Sequence, residues 1–169
     1  MMTIMTTSIE KVIKEYLQEE GILKDTITSS DFDFGFIFLF PPGDKRSQHM
    51  SIYKPKNRND VFITIRFQIS QERIKLLNSL KKDQQIKAFE DVRKYFLIKE
   101  VNFSIDIQKM IIEIHEHFYP QKDGYIAKNT MFEQIQKVFY CYIYSNLILE
   151  EYCRKKDSKS YRDDFHLFS

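Results

Sequence analysis

Three observations predict an α+β domain, a mainly antiparallel sheet with helices packed on one face in the order α-β-β-β-β-α-β-β-α. From Phe32 to Phe40 a phenylalanine stands at every second position (FDFGFIFLF), and a pleated strand gathers such a period onto one side where a helix would scatter it. Two shorter runs, QHMSIYK and DVFITIRFQ, follow behind the turn-forming segments PPGDKRS and PKNRND. Longer stretches before, between and after the strands carry apolar residues at helical spacing instead.

The first element is an amphipathic helix over Thr7–Glu20, with apolar Ile9, Val12, Ile13, Tyr16 and Leu17, a capping box at Thr7 and Glu10, and Gly21 as its stop. ILKDTITS, the phenylalanine run and the two shorter runs then make a four-stranded antiparallel meander. The phenylalanine strand is expected to point five rings, Phe32 to Phe40, into the core. Ser70 caps a helical stretch to about Ile98, with a break near Lys82, and Leu76, Leu77, Leu80, Ile86, Phe89, Val92, Phe96 and Leu97 are expected to face the sheet. Val101–Asp106 and Met110–Tyr119 read as two more strands, followed by a loop at 120–128. Thr130 and Glu133 form a capping box for a last helix to about Lys155. Residues 1–156 are therefore expected as a single domain, and the polar remainder 157–169 as a disordered tail.

Composition narrows the function classes. The formal charge of +2 arises from 26 basic and 24 acidic side chains intermingled along the chain, so no strong field draws it to nucleic acid or membrane. Cys141 and Cys153 lie twelve positions apart in one helical segment, about 18 Å along the axis, and cannot pair within it. Without a signal peptide or a membrane-length apolar run, the chain reads as a soluble, cytoplasmic protein with reduced thiols. A Gly-rich phosphate loop, a nucleophile elbow and a metal-binding CxxC are all missing, which predicts a protein that is not an enzyme and needs no cofactor.

The run from GI through DFDFGFIFLFPP, the following IYKPK and DVFITI, and the helix SQERIKLLNSL resemble an uncharacterised family of small archaeal proteins, a domain of unknown function. The resemblance spans roughly Ser8 to Tyr152 and rests on core and turn residues, so it implies a fold and no activity. The element order is also similar to that of type III secretion chaperones, dimeric proteins that hold extended partner segments.

Two surfaces lack an ordinary structural explanation. Val138–Leu149 (VFYCYIYSNLIL) shows almost no polar stripe, which predicts a homodimer seam through Val138, Phe139, Tyr142, Tyr144, Leu147 and Leu149; the alternative is a helix sandwiched inside its own domain. On the far side of the meander Ile37, Leu39, Tyr53 and Phe62 point outward, with Arg66 at the rim and Gly35 leaving room for close approach. They form a candidate docking surface for a protein or peptide. Glu113, His115 and His117 alternate on one strand and have metal-ligand chemistry, but they fall on the wet face without a cavity, so no metal is assigned to them. Lys45, Arg46, Lys54, Lys56, Arg58 and Arg66 cluster around Tyr53, yet a meander divides them between opposite strand ends and disfavours a nucleic-acid stripe. The expected function is that of a non-enzymatic, homodimeric, chaperone-like binding module; the alternative is a small metal-binding or nucleic-acid-associated protein.

Overall fold

A computed structural model describes residues 8–165, with side chains described through Arg154. The order is α1 (Ile9–Glu19), β1 (Leu23–Thr26), β2 (Phe32–Phe40), β3 (Gln48–Pro55), β4 (Val61–Gln68), α2 (Gln71–Asn78), α3 (Lys82–Ile98), β5 (Asn102–Asp106), β6 (Ile111–Phe118) and α4 (Lys128–Phe165). The strands make one open, antiparallel, six-stranded sheet in the order β1-β2-β3-β4-β6-β5. This is the α+β class the sequence predicts. The chain holds two compact units, residues 1–66 with 114–139 and residues 67–113 with 140–169.

The first unit is built on the phenylalanine strand. Phe34, Phe36, Phe38 and Phe40 are buried, and antiparallel pairing sets Phe36 against Ile52 and Phe38 against Met50. Ile13 and Leu17 of α1, Val61, Ile63 and Ile65 of β4, and Met131, Ile135 and Val138 of α4 complete this core. Phe40 meets Phe139 edge-on with ring centroids 5.3 Å apart. Each such ring contributes roughly 1.5–3 kcal/mol relative to an exposed one, which is why this strand anchors the unit.

The fifth ring does not join them. The register shifts between Phe32 and Phe34, so Asp33 is an extra residue and Phe32 pairs with Pro55 instead of continuing the alternation. A bulge of one residue reverses the facing of everything before it. Phe32 thus stands on the outer face, its ring centroid 4.6 Å from that of Tyr53. Asp33, carried on the bulge, forms an ion pair with Lys54.

The second unit packs α2, α3 and the later part of α4. Leu77, Ala88, Phe89, Val92 and Phe96 are buried together with Cys141, Ser145, Leu149 and Cys153. The Tyr152 hydroxyl donates to Asp91, while Tyr95 stacks on Tyr144 at 4.1 Å, so α3 and the end of α4 run antiparallel. Arg73 Nη1 donates to Asn146 Oδ1 at 2.7 Å, and Phe67 meets Tyr142 edge-on at 4.7 Å. Ile86 and Leu97, expected to face the sheet, are exposed. Each residue turns a helix by about 100°, and Leu97 therefore leaves the arc that its neighbour Phe96 occupies.

Helix ends follow local chemistry with small differences from expectation. Ser8, not Thr7, caps α1, its hydroxyl accepting from Lys11 N at 3.3 Å, and Thr7 lies outside the described residues. Gly21 ends that helix at φ +67°, a left-handed conformation cheap only for glycine. Ser70 caps α2 through Arg73 N at 3.3 Å, and the expected break falls between Asn78 and Lys82. α4 begins at Lys128, which puts Thr130 inside its first turn and not at the cap; Met131 N already bonds Ala127 O. The helix continues past the expected Lys155 to Phe165, and residues 166–169 of the predicted tail lie outside the described residues.

Candidate functional site

The outer face of the first unit carries a row of rings fixed by strand register. Tyr53 pairs with Phe62 across β3 and β4, and their rings lie nearly parallel with centroids 5.7 Å apart. Phe32 lies against Tyr53 on one side, while Phe62 meets His115 at 5.9 Å and His117 at 5.6 Å on the other. Arg58 covers Phe62 from above, its guanidinium carbon 5.0 Å from the ring centre. The row is a satellite core in which rings take up one another's surfaces.

A polar clasp closes one end of it. Asp60, 2% exposed, receives Arg58 Nε at 2.8 Å and Nη2 at 2.7 Å, and its Oδ2 lies 3.2 Å from His117 Nδ1. The paired guanidinium bonds hold the Asp60 carboxyl below the usual carboxylate range against the opposing effect of burial. His117 is thereby oriented by a carboxylate, with the Phe62 and Tyr119 rings beside it. Thr64 Oγ1 and the Tyr53 hydroxyl, 3.4 Å apart, add a weak bond in mid-row. The inward-facing Glu116 is also buried, with Lys137 Nζ 3.1 Å from its Oε1.

Against this geometry the docking residues separate. Ile37, Leu39, Tyr53 and Phe62 do face outward and are half-buried, with Arg66 exposed. Gly35 is buried and offers no opening, because a Cβ there would come within 3.0 Å of Ile27 Cβ and 3.3 Å of Tyr53 Cβ. The space is already used by Ile27. Glu113, His115 and His117 share the outer face, and among the described residues no group of three or more His, Cys, Asp or Glu could hold a metal ion. Of the basic residues near Tyr53, Lys54 pairs with Asp33, Arg58 with Asp60 and Arg46 with Asp44, so at least half of that charge is answered locally.

The second unit contrasts with the first. Within α4, Cys141, Ser145, Leu149 and Cys153 succeed one another every four residues on the buried arc. Ser145 is accommodated there because its hydroxyl donates to Tyr142 O at 2.8 Å. Tyr140 (59% exposed), Ile143 (36%), Tyr144 (48%) and Leu147 (49%) take the opposite arc at spacing i, i+3, i+4, i+7. Of the expected seam residues, Val138, Phe139 and Leu149 are buried in their own chain and have no surface to give a second subunit. Tyr142 is half-buried, and desolvation raises its hydroxyl pKa. Tyr144 and Leu147 remain on the surface, joined by Tyr140 and Ile143.

The tyrosines beside this arc are partly anchored. Burial first, and the adjacent Asp91 second, push the Tyr152 hydroxyl up to about 12. Burial likewise raises Tyr95. Among the described residues no helix is long and apolar enough to cross a membrane.

Comparison with known proteins agrees with the core-and-turn resemblance. A crystal structure of an uncharacterized protein from Methanothermobacter thermautotrophicus shares the fold, with a TM-score of 0.75 at 17% identity over 85% of this chain and 97% of that one. No curated protein matches. The family described as "Uncharacterized conserved protein (DUF2299)" matches residues 9–149, most of the chain, and this protein belongs to it.

Proposed function

We propose that this protein is a non-enzymatic, chaperone-like protein-binding module that works as a homodimer, with its docking surface on the exposed arc of α4. The observation that carries the reading is the placement of Tyr140, Ile143, Tyr144 and Leu147 on one face of a helix whose opposite face is already buried. Another polypeptide would take such a face out of water, and tyrosine suits a partly wet interface because its hydroxyl tolerates either environment. The sheet face supports the reading less strongly, since Tyr53 and Phe62 spend their ring faces on each other and on Arg58. Ile37 and Leu39 keep part of their surface there, and Arg66 stands at that rim.

Site-specific photo-crosslinking in expressing cells tests this. A benzophenone side chain at position 140 or 147 is expected to give polypeptide adducts, and the same group at Lys24, exposed on β1, is expected to give none. Equal labelling at all three positions, or no polypeptide adduct at 140 and 147, would contradict it.

A further inference from the structure

We infer that the occupant of the α4 arc is the same arc of a second copy, paired antiparallel about a two-fold axis that passes between Ile143 and Tyr144. This rests on the reading of α4 as the docking surface and names its partner.

The pattern closes on itself. In an antiparallel helix pair related by a two-fold axis, residues whose numbers add to a constant face one another. An axis between Ile143 and Tyr144 sets Tyr140 opposite Leu147 of the other copy, and Ile143 opposite its Tyr144. Every ring then meets an aliphatic side chain, and both ends of the arc are used. A parallel pairing would instead set ring against ring and leucine against leucine.

The area is of the right size as well. With 150–250 Å² on a full aromatic side chain, the exposed fractions of the four arc residues amount to roughly 400 Å². Ile98, 76% exposed, follows Tyr95 by one turn of α3, and Tyr95 stacks on Tyr144, so the apolar surface extends beyond α4. A standard interface buries about 800 Å² on each partner, somewhat over half of it apolar. The arc with Ile98 supplies about that apolar share. At the C-terminal end of the arc, Glu151 and the Glu150–Arg154 ion pair provide a charged rim.

Complementation distinguishes this pairing from capture of another protein. The wild-type chain is expected at twice its 20.5 kDa by light scattering, and Tyr140→Lys and Leu147→Glu each at 20.5 kDa. An equimolar mixture of the two variants is expected to return to the doubled mass, because only the mixed pair sets Lys opposite Glu without repeating either mismatch. Circular dichroism checks that each variant is folded. If one is not, Tyr144→Cys replaces it: near the axis it is expected to join its counterpart through a short bis-maleimide, while Ile86→Cys is not. Native Cys141 and Cys153 are buried and should react slowly. A 20.5 kDa wild type, a mixture of folded variants that stays at 20.5 kDa, variants that both remain dimeric, or the absence of a 144–144 crosslink would each overturn the pairing. A monomeric wild type whose residue 140 still crosslinks to a different polypeptide would overturn the pairing and the homodimer but leave the arc as a docking surface for another protein. No polypeptide adduct at all would remove the docking surface itself.

Discussion

The outer sheet face of the first unit and the exposed α4 arc of the second both read as apolar surface in the sequence, yet they reach opposite states. On the sheet, Phe32, Tyr53, Phe62, His115 and His117 lie in a row and take up one another's surfaces, with Arg58 above and Asp60 tying the end. On the helix, Tyr140, Ile143, Tyr144 and Leu147 stay between one-third and three-fifths exposed. The difference follows from geometry. Neighbouring strands lie under 5 Å apart, so side chains on one face can cover each other, whereas residues on one convex helix face diverge, and even with Tyr95 stacked on Tyr144 the arc keeps much of its surface.

An open surface on the sheet would tolerate truncation of its rings, and a packed row would not. Phe62→Ala is expected to have the largest effect, about 2–3 kcal/mol, below the cost of a fully buried phenylalanine because Phe62 is half-buried. Urea denaturation would show it, and a loss under half a kilocalorie would mean that the row carries little packing energy. Asp60→Asn is expected next, at about 2 kcal/mol, since it removes charge-assisted bonds from Arg58. The pH dependence has a definite sign. Asp60 has its carboxyl lowered in the folded chain, so its contribution is complete above the ordinary carboxylate pKa and fades as pH falls through the lowered value. The variant should therefore lose less stability than wild type on acidification.

Gly35→Ala should cost about 1 kcal/mol or more, because the new methyl must displace Ile27 or Tyr53. Wild-type stability would show that Ile27 yields freely. In the second unit Tyr152 is the alkaline counterpart of Asp60. Its pKa is raised to about 12, so its contribution is present below pH 10 and lost as pH rises toward that value. Tyr152→Phe should flatten that alkaline loss in a thermal melt series. Smallest of all, Tyr140→Ser should leave monomer stability within about 0.5 kcal/mol while weakening self-association.

Much of this fold was legible because periodicity reports burial. The alternation of FDFGFIFLF, the helix cap at Ser70 and the left-handed Gly21 are local signals, and so were the family's core motifs. What escaped depends on contacts between distant residues. One inserted residue, Asp33, turns Phe32 to the other face, and nothing in the alternation marks it. The Asp60–His117 contact joins residues 57 positions apart, with only the neighbouring Arg58 as a local hint. In α4 an apolar helix without a polar stripe concealed two arcs back to back. Sorting its residues by steps of three and four separates Tyr140, Ile143, Tyr144 and Leu147 from Cys141, Ser145 and Leu149, but both sets are largely apolar, so the spacing alone does not say which arc is buried.

Hydrogen–deuterium exchange across a dilution series is the measurement that decides between the two surfaces. Peptides covering Tyr140–Leu147 are expected to become more protected as protein concentration rises, while those covering β3 and β4, with Tyr53 and Phe62, stay constant. Concentration-dependent protection in β3 and β4 with none in α4 would reverse the assignment and return the docking surface to the sheet.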